Sequence, residues 1–130
     1  MRLIRIAALL VAALVAAPAG AATDLVGTWR VAAIGTLAVP ADAGLVIAFD
    51  AAGTFSGSTG CNTFSGSYEI KGTTLELGPI RITQRGCAPA AAERENRLML
   101  ALGTARRAEP AEGGVVLGGA GGDRLVLAHG

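Results

Sequence analysis

The sequence has 130 residues, of which 52% are hydrophobic and 16% charged, and its formal net charge at pH 7 is +1. A chain of this length forms one domain. A charge so close to zero excludes the electrostatic attraction on which nucleic-acid binding and anionic-membrane binding depend.

The N-terminal segment has the three-part organisation of a secretory signal peptide. Two arginines precede an uninterrupted apolar run at residues 6–17, and small residues follow up to Ala22. The apolar run is shorter than the ~20 residues that span a bilayer. We therefore expect residues 1–22 to be a cleaved signal peptide and residues 23–130 to form a single domain. An uncleaved membrane anchor is the alternative.

Export would place the domain in the periplasm or outside the cell. Cleavage removes two arginines and leaves a slight excess of acidic side chains, and no cysteine near the cleavage site could carry a lipid anchor. Cys61 and Cys87 both lie in the exported part. An even pair of cysteines in an oxidising compartment predicts a disulfide. Its stabilisation in the loop-closure model is roughly 3–4 kcal/mol.

The first half of the domain has the pattern of short strands separated by glycine. The segment 27–34 contains the only tryptophan, Trp29, and the β-branched run at 45–49 is too short for a helix. The next four residues begin with Asp and end with Gly, as in a type I turn. The chain is therefore expected to return as a hairpin into residues 54–57.

A second hairpin is predicted over residues 68–77, with its turn at a Lys-Gly pair. Beyond the Gly-Pro pair at 78–79 the apolar alternation resumes out of phase, so that Ile80 and Ile82 face inward. A change of phase at proline indicates a bulge or a sharp bend, because proline cannot donate to the strand ladder.

One helix is predicted. Pro89 suits the first turn, and residues 90–102 are rich in Ala, Leu, Arg and Glu, with no helix breaker before Gly103. An apolar patch in the second half of this segment includes Met99, which we interpret as core packing.

The C-terminal part is predicted to be a third hairpin, with strands at 115–117 and 124–127 joined by a glycine-rich turn. No helical pattern follows these glycines, so they do not form a dinucleotide-binding fingerprint. Many short strands with a single helix predict an α+β fold that is mostly β. We expect a curled antiparallel or barrel-like sheet with one helix packed on it.

The tetrapeptide Phe-Ser-Gly-Ser occurs twice, at residues 55–58 and 64–67. Neither copy has the G-x-S-x-G spacing of a nucleophile elbow. The sole histidine, His129, is the penultimate residue and is expected to be frayed, so it cannot serve as a positioned base. We expect no catalytic residue and interpret the repetition as chance. The alternative is a polar ligand-binding surface formed by four hydroxyls: Ser56, Ser58, Ser65 and Ser67.

No cofactor or metal site is expected. Two distant cysteines and one terminal histidine lack the paired spacing of zinc ligands. The segment has no lysine for a phosphate-binding loop. Asp50, Glu69 and Glu76 each lie at a turn or on the polar face of a predicted strand. We therefore interpret their carboxylates as solvated surface groups.

The tripeptide Gly60-Cys61-Asn62 between the two copies is interpreted as a corner. Asn62 tolerates left-handed backbone geometry and can hydrogen-bond to nearby main chain, which would direct Cys61 inward. Gly57 and Gly66 leave room for another strand or side chain to approach closely.

Five residues around this corner form a G-C-N…G-x-Y pattern: Gly60, Cys61, Asn62, Gly66 and Tyr68. A G-x-W segment stands before it at 27–29, and a T-x-x-x-C segment and an E-x-x-L-x-x-x-L helix pattern follow at 83–87 and 95–102. This ordered set resembles the META domain, also called the HslJ-like domain, over roughly residues 24–128. This chain departs from the family pattern at Arg85-Gly86 and early in the helix, and these differences affect packing.

The resemblance implies a small β-rich fold with a helix, found in exported bacterial proteins linked to stress or envelope conditions. It assigns no reaction. It marks Cys61 and Cys87 as the paired cysteine positions and Trp29, together with the corner pattern, as structural residues. We therefore expect a non-enzymatic, exported monomer with a role in envelope stress tolerance, and no cofactor. Its partner would be an envelope protein or a small apolar ligand, and not nucleic acid.

The alternative function is that of a small β-barrel that binds an apolar or amphipathic ligand in the periplasm. A barrel interior either holds a ligand or is filled by side chains. The residues expected to line it are Val46, Phe49, Phe55, Leu75 and Leu77.

Overall fold

The computed structural model describes residues 21–130, and the expected signal peptide lies almost entirely outside the described residues. The elements, in chain order, are β1 (Gly27–Ile34), β2 (Leu37–Ala38), β3 (Leu45–Phe49), β4 (Thr54–Thr59), β5 (Thr63–Lys71), β6 (Thr74–Leu77), β7 (Arg81–Ile82), α1 (Pro89–Thr104), β8 (Arg107–Ala111), β9 (Gly114–Gly118) and β10 (Leu125–His129).

The described strands form a closed antiparallel barrel. Eight of them follow one another around it in the order β10-β9-β8-β6-β5-β4-β3-β1, and β1 pairs with β10 to close the ring. The two short strands, β2 and β7, add to β1 and β5. Closure leaves the eight main strands without a free edge, which removes the row of unpaired backbone groups that promotes aggregation. The predicted barrel-like, mostly β fold is confirmed.

Alternation along the strands determines which side chains fill the barrel. Leu45, Ile47 and Phe49 of β3 are buried, whereas Val46 between them is only half-buried and lies on the outer side. Neighbouring residues of a strand point to opposite faces, so Val46 cannot share a face with Phe49. The prediction that Val46 lines the interior is therefore wrong. Phe55 and Leu75 do lie in the core, and Leu77 packs against it.

The helix α1 packs against β1, β4 and β10. Its buried residues are Leu98, Ala101 and Leu102, and Met99 is half-buried against the core, as the sequence predicted. The helix extends beyond its predicted end, through Gly103 to Thr104, and Gly103 does not adopt the positive φ of a glycine that ends a helix. No helix among residues 21–130 is long and apolar enough to cross a membrane.

The predicted hairpins form as expected. In the turn between β3 and β4, Gly53 N–H donates to the Asp50 carbonyl at 3.4 Å, and Gly53 has a φ of +90°. The sequence analysis missed β8, which pairs with β9 and is joined to β6 through Thr74 and Arg107. Only Ala108 of β8 is buried, so this strand lacks the apolar alternation by which strands are recognised.

The two Phe-Ser-Gly-Ser copies pair with each other as antiparallel neighbours. Phe55 of β4 lies opposite Gly66 of β5, and Gly57 of β4 lies opposite Phe64 of β5. Each phenylalanine ring occupies the space that a side chain on the opposite glycine would fill. The repetition is therefore a packing arrangement rather than chance, since each strand supplies one ring and one gap.

Candidate functional site

The candidate site is the corner that joins β4 to β5, together with the segments that pack on it. Gly60 turns the chain with a φ of +82°, and a Cβ atom there would collide with the carbonyl oxygen of Ala43. Among residues 21–130, only glycines have positive φ, so Gly60 and not Asn62 adopts the left-handed geometry. The sequence analysis noted only that Asn62 tolerates this geometry, and the residue that adopts it is Gly60.

The predicted disulfide between Cys61 and Cys87 is present, with the two Cα atoms 5.9 Å apart. It ties the corner to the residues that precede α1. Both cysteines are half-buried, whereas Asn62 is 2% exposed. The side chain that points into the protein at this corner is therefore that of Asn62, and the prediction that Cys61 points inward is wrong.

Asn62 links the corner to the segment that follows β7. Its Oδ1 atom accepts hydrogen bonds from the Arg85 backbone N–H at 2.7 Å and from the Thr83 hydroxyl at 2.9 Å. Its Nδ2 group donates to both carboxylate oxygens of Glu95, at 2.9 and 3.1 Å. A buried amide needs partners for its donors and its acceptor, and these three residues supply them.

The sequence analysis included Glu95 only as the first residue of the helix pattern and gave it no part in this network. Its carboxylate also accepts a 2.6 Å hydrogen bond from the hydroxyl of Thr59, which is fully buried. Glu95 lies on the same face of α1 as the buried Leu98 and Leu102, three and seven residues later. A carboxylate on the apolar face of a helix was the available signal, because such a group requires hydrogen-bond partners.

The network also brings a carboxylate close to sulfur. The Sγ atoms of Cys61 and Cys87 and a carboxylate oxygen of Glu95 all lie within 4.8 Å of one another. The Asn62 amide nitrogen is 3.6 Å from the Cys87 sulfur. Sequence spacing did not indicate this cluster, since its members come from three separate segments. In the disulfide state the two sulfurs are bonded to each other and are not metal ligands.

A groove of about 630 Å³ lies on the outer face of the barrel, over β3, β4, β5 and β7. Three of the four repeated serines line it, namely Ser56, Ser58 and Ser65, whereas Ser67 lies outside it. Val46 contributes apolar surface, and Arg81 contributes the charged group.

The residues considered for nucleophilic catalysis are not brought together. His129 is in β10, paired with Trp29 of β1, and the two ring centroids are 4.7 Å apart. The prediction that His129 is frayed is wrong, because this strand pairing closes the barrel. The serines of the groove lie on β4 and β5 and not on β1 or β10, the two strands that close the barrel.

Trp29 and Tyr68, two residues of the family pattern, donate side-chain hydrogen bonds to backbone carbonyls. The indole N–H of Trp29 donates to the Leu25 carbonyl at 2.8 Å. The hydroxyl of Tyr68 donates to the Asp50 carbonyl at 2.5 Å, and its ring packs edge-on against Phe49. The first contact fixes the segment before β1, and the second joins β5 to the turn after β3, so both are structural.

The pKa values of Asp50 and Tyr68 are both shifted from their ordinary values. Hydrogen bonds from the side chain and backbone of Thr54, and from the backbone of Ala52, lower the pKa of Asp50 below its ordinary value of 3.8. Burial raises the pKa of Tyr68 above 10.0, and the negative charges of Asp50 and Asp24 add to the increase.

Comparison with known proteins supplies a family and several structural relatives. The family model described as META domain matches residues 23–129. A DUF4847 family protein from Bacteroides vulgatus ATCC 8482 has a TM-score of 0.60 and 21% identity, over 82% of this chain and 94% of that one. No curated protein matches the chain significantly.

Two NMR structures are also similar. A protein from Burkholderia xenovorans has a TM-score of 0.60 and 25% identity, over 82% of this chain and 79% of that one. The other has a TM-score of 0.65 and 22% identity, over 80% of this chain and 89% of that one. These similarities concern the fold.

Proposed function

The chain belongs to the META domain family, and from this premise we propose that it is an exported, non-enzymatic domain that contributes to envelope stress tolerance in the periplasm or outside the cell. The observation that carries the proposal is the corner at residues 59–62. Its side chains are engaged with residues outside it, because Cys61 forms the disulfide with Cys87 and Asn62 donates hydrogen bonds to Glu95.

Export is supported by the disulfide, because disulfides persist in oxidising compartments. Resistance to stress is supported by the closed barrel. A sheet without free edges offers no template for pairing with another chain when the envelope is heated or exposed to detergent.

A non-enzymatic role is supported by the positions of the candidate nucleophiles and of the base. His129 packs on Trp29, and both sulfurs are in the disulfide. Glu95 is hydrogen-bonded by Thr59 and Asn62. Each of these groups therefore has a structural contact that explains its position.

The test is a deletion strain grown under heat, antibiotic and detergent challenge, with complementation by plasmid-borne variants. The wild-type gene is expected to restore growth, and His129→Ala is expected to restore it equally. Asn62→Ala, which loosens the corner, should restore it less well. Normal growth of the deletion strain under all three challenges would refute the stress role, and a loss of complementation by a stably expressed His129→Ala protein would refute the non-enzymatic role.

A second candidate function is the binding of an amphipathic ligand in the outer groove. The barrel interior is occupied by a packed apolar core, whereas the outer groove offers about 630 Å³ beside Val46, with serine hydroxyls and Arg81 at its margin. A ligand with an apolar part and an anionic or hydroxylated part matches these groups.

Native mass spectrometry of protein purified from cell extract tests this second function. A bound species is expected on the wild-type protein and not on Ala48→Phe, which would fill the groove. Ser67→Phe is the matched control, because Ser67 is an exposed residue of β5 outside the groove. Wild-type protein that is consistently free of ligand would contradict the proposal.

A further inference from the structure

We propose that reduction of the Cys61–Cys87 disulfide creates a binding site for a thiophilic divalent cation such as Zn²⁺, with Cys61, Cys87 and Glu95 as its three protein ligands. This inference goes beyond the proposed stress function and does not depend on it. It rests on the placement of two sulfurs and one carboxylate oxygen within 4.8 Å of one another.

The separations between the two sulfurs and the carboxylate oxygen suit a tetrahedral ion after small side-chain movements. Zinc binds thiolate sulfur at about 2.3 Å and carboxylate oxygen at about 2.0–2.2 Å, which puts neighbouring ligand atoms about 3.5–4 Å apart. Once the S–S bond is broken, the two sulfurs can separate to this distance. The carboxylate then has to approach them by about 1 Å. A water molecule would complete the coordination.

Contacts other than the disulfide hold the three ligand-bearing segments together. Asn62 binds the Arg85 backbone and the Thr83 hydroxyl, which fixes the corner against the segment that carries Cys87. Thr59 and Asn62 bind Glu95, which fixes the corner against α1. The two thiols should therefore remain adjacent in the reduced protein rather than drift apart.

Thr59 and Asn62 also orient the proposed carboxylate ligand. Groups that hydrogen-bond a metal ligand fix its rotamer, and their removal typically weakens metal binding about 10–100-fold. The Asn62 amide is in addition 3.6 Å from the Cys87 sulfur, where a donor favours the thiolate that a metal requires. All three proposed ligand residues are half-buried, so an ion can reach them from solvent.

Reduction of the disulfide precedes binding of the ion. A dithiol reductant attacks one sulfur of the disulfide, forms a mixed disulfide, and then leaves as its own cyclic disulfide, so that two electrons and two protons reach Cys61 and Cys87. The divalent ion then displaces those two thiol protons and binds the Glu95 carboxylate. Oxidation by a disulfide-forming oxidant reverses both steps and releases the ion. The disulfide and the bound metal are therefore mutually exclusive states.

The test is an anaerobic titration of the reduced, purified protein with Co²⁺, followed by displacement with Zn²⁺. We expect one equivalent to bind, with thiolate-to-cobalt charge-transfer absorption and the strong visible bands of a tetrahedral site. Glu95→Gln should weaken Co²⁺ binding at least tenfold, and Glu95→Asp should weaken it less. Glu93→Gln is the matched control on α1, since Glu93 is exposed and pairs only with Arg97 in the part of the chain described.

Several outcomes would overturn the proposal. One is equal Co²⁺ binding by the reduced and oxidised proteins, and another is unchanged charge-transfer absorption in the Cys61→Ser/Cys87→Ser variant. A third is equal affinity in Glu95→Gln and wild type. Circular dichroism of the reduced, metal-free protein should show the folded spectrum, and an unfolded spectrum would refute the claim that hydrogen bonds hold the site together.

Discussion

Phe55 lies across Gly66 of the neighbouring strand, with its Cε1 and Cζ atoms 2.8 Å from the position that a Cβ atom would take on that glycine. The relationship is repeated in the opposite direction between Phe64 and Gly57. The doubled Phe-Ser-Gly-Ser thus forms two complementary ring-and-gap pairs on adjacent strands, and the glycines are required for core packing.

Gly66→Ala should lower the free energy of unfolding by about 1–3 kcal/mol, because the new methyl group would collide with the Phe55 ring and with the Pro79 carbonyl. The measurement is the urea midpoint at constant m-value. Gly103→Ala is the control. A Cβ atom added at Gly103 would meet nothing within 4 Å, and alanine at this position should raise the stability of the helix by about 0.5–1 kcal/mol. Changes of the same sign in both variants would contradict this account.

Asn62→Ala should lower the free energy of unfolding by about 1–3 kcal/mol, since it leaves the Arg85 N–H and part of the Glu95 carboxylate without partners. Equilibrium denaturation measures the loss. Asn96→Ala serves as the comparison, because Asn96 is exposed on α1, where alanine is the better helix former. The network would have no energetic role if both variants had wild-type stability.

The double variant Cys61→Ser/Cys87→Ser should lose roughly 3–4 kcal/mol of stability and remain folded. Domains of this size have about 5–15 kcal/mol in total, and the Asn62 hydrogen bonds still hold the corner. The loss is read from denaturation curves. Mass spectrometry of the wild-type protein should show an increase of about 2 Da on reduction, from two added hydrogens. Free thiols in protein taken from the periplasm would contradict the disulfide.

The Asp50 carboxylate should make the free energy of unfolding depend on pH in the acidic range. The pKa of Asp50 is lower in the folded state than its ordinary value of 3.8, so its stabilisation is complete above that pH. The stabilisation is lost as the pH falls through the folded-state pKa. Wild type and Asp50→Ala should therefore differ in urea midpoint at pH 6, and this difference should shrink as the pH falls below 3.8. Asp42→Ala controls for the loss of one exposed carboxylate, and a pH-independent difference would argue against this linkage.

Tyr68 should titrate above its ordinary pKa of 10.0, because burial and the charges of Asp50 and Asp24 disfavour the phenolate. Stability should be unaffected below pH 10 and should decrease as the pH rises through the folded-state pKa. Tyr68 is the only tyrosine, so its ultraviolet absorbance reports one residue. Asp50→Asn should lower the Tyr68 pKa part of the way toward 10.0, whereas a tyrosinate that forms at or below pH 10 would be inconsistent with the structure.

Much of the barrel could be predicted from local patterns. A short β-branched run identified β3, and an Asp-to-Gly turn identified the hairpin into β4. Val46 was placed on the wrong face because its hydrophobicity was given more weight than its position in the alternation. β8 was missed because only Ala108 is buried in it, so its place depends on pairing with β9 and β6.

The candidate site was predicted only in part. The cysteines were paired correctly from their number and compartment, and the family was identified from an ordered set of short motifs. Glu95 was missed as a partner of Asn62 because the two are 33 residues apart, and nothing in the spacing of polar residues encodes that contact.

The turns and the strand alternation follow from the sequence because they depend on residues close in the chain. The family follows from an ordered pattern along the chain, and the disulfide follows from there being two cysteines in an exported domain. The tertiary structure alone decided that β1 closes on β10, that Phe55 lies opposite Gly66, and that Glu95 reaches both Asn62 and the two sulfurs. These relationships depend on strand register and helix placement. Both are set by burial of the shared core, which is a property of the whole domain and not of any segment.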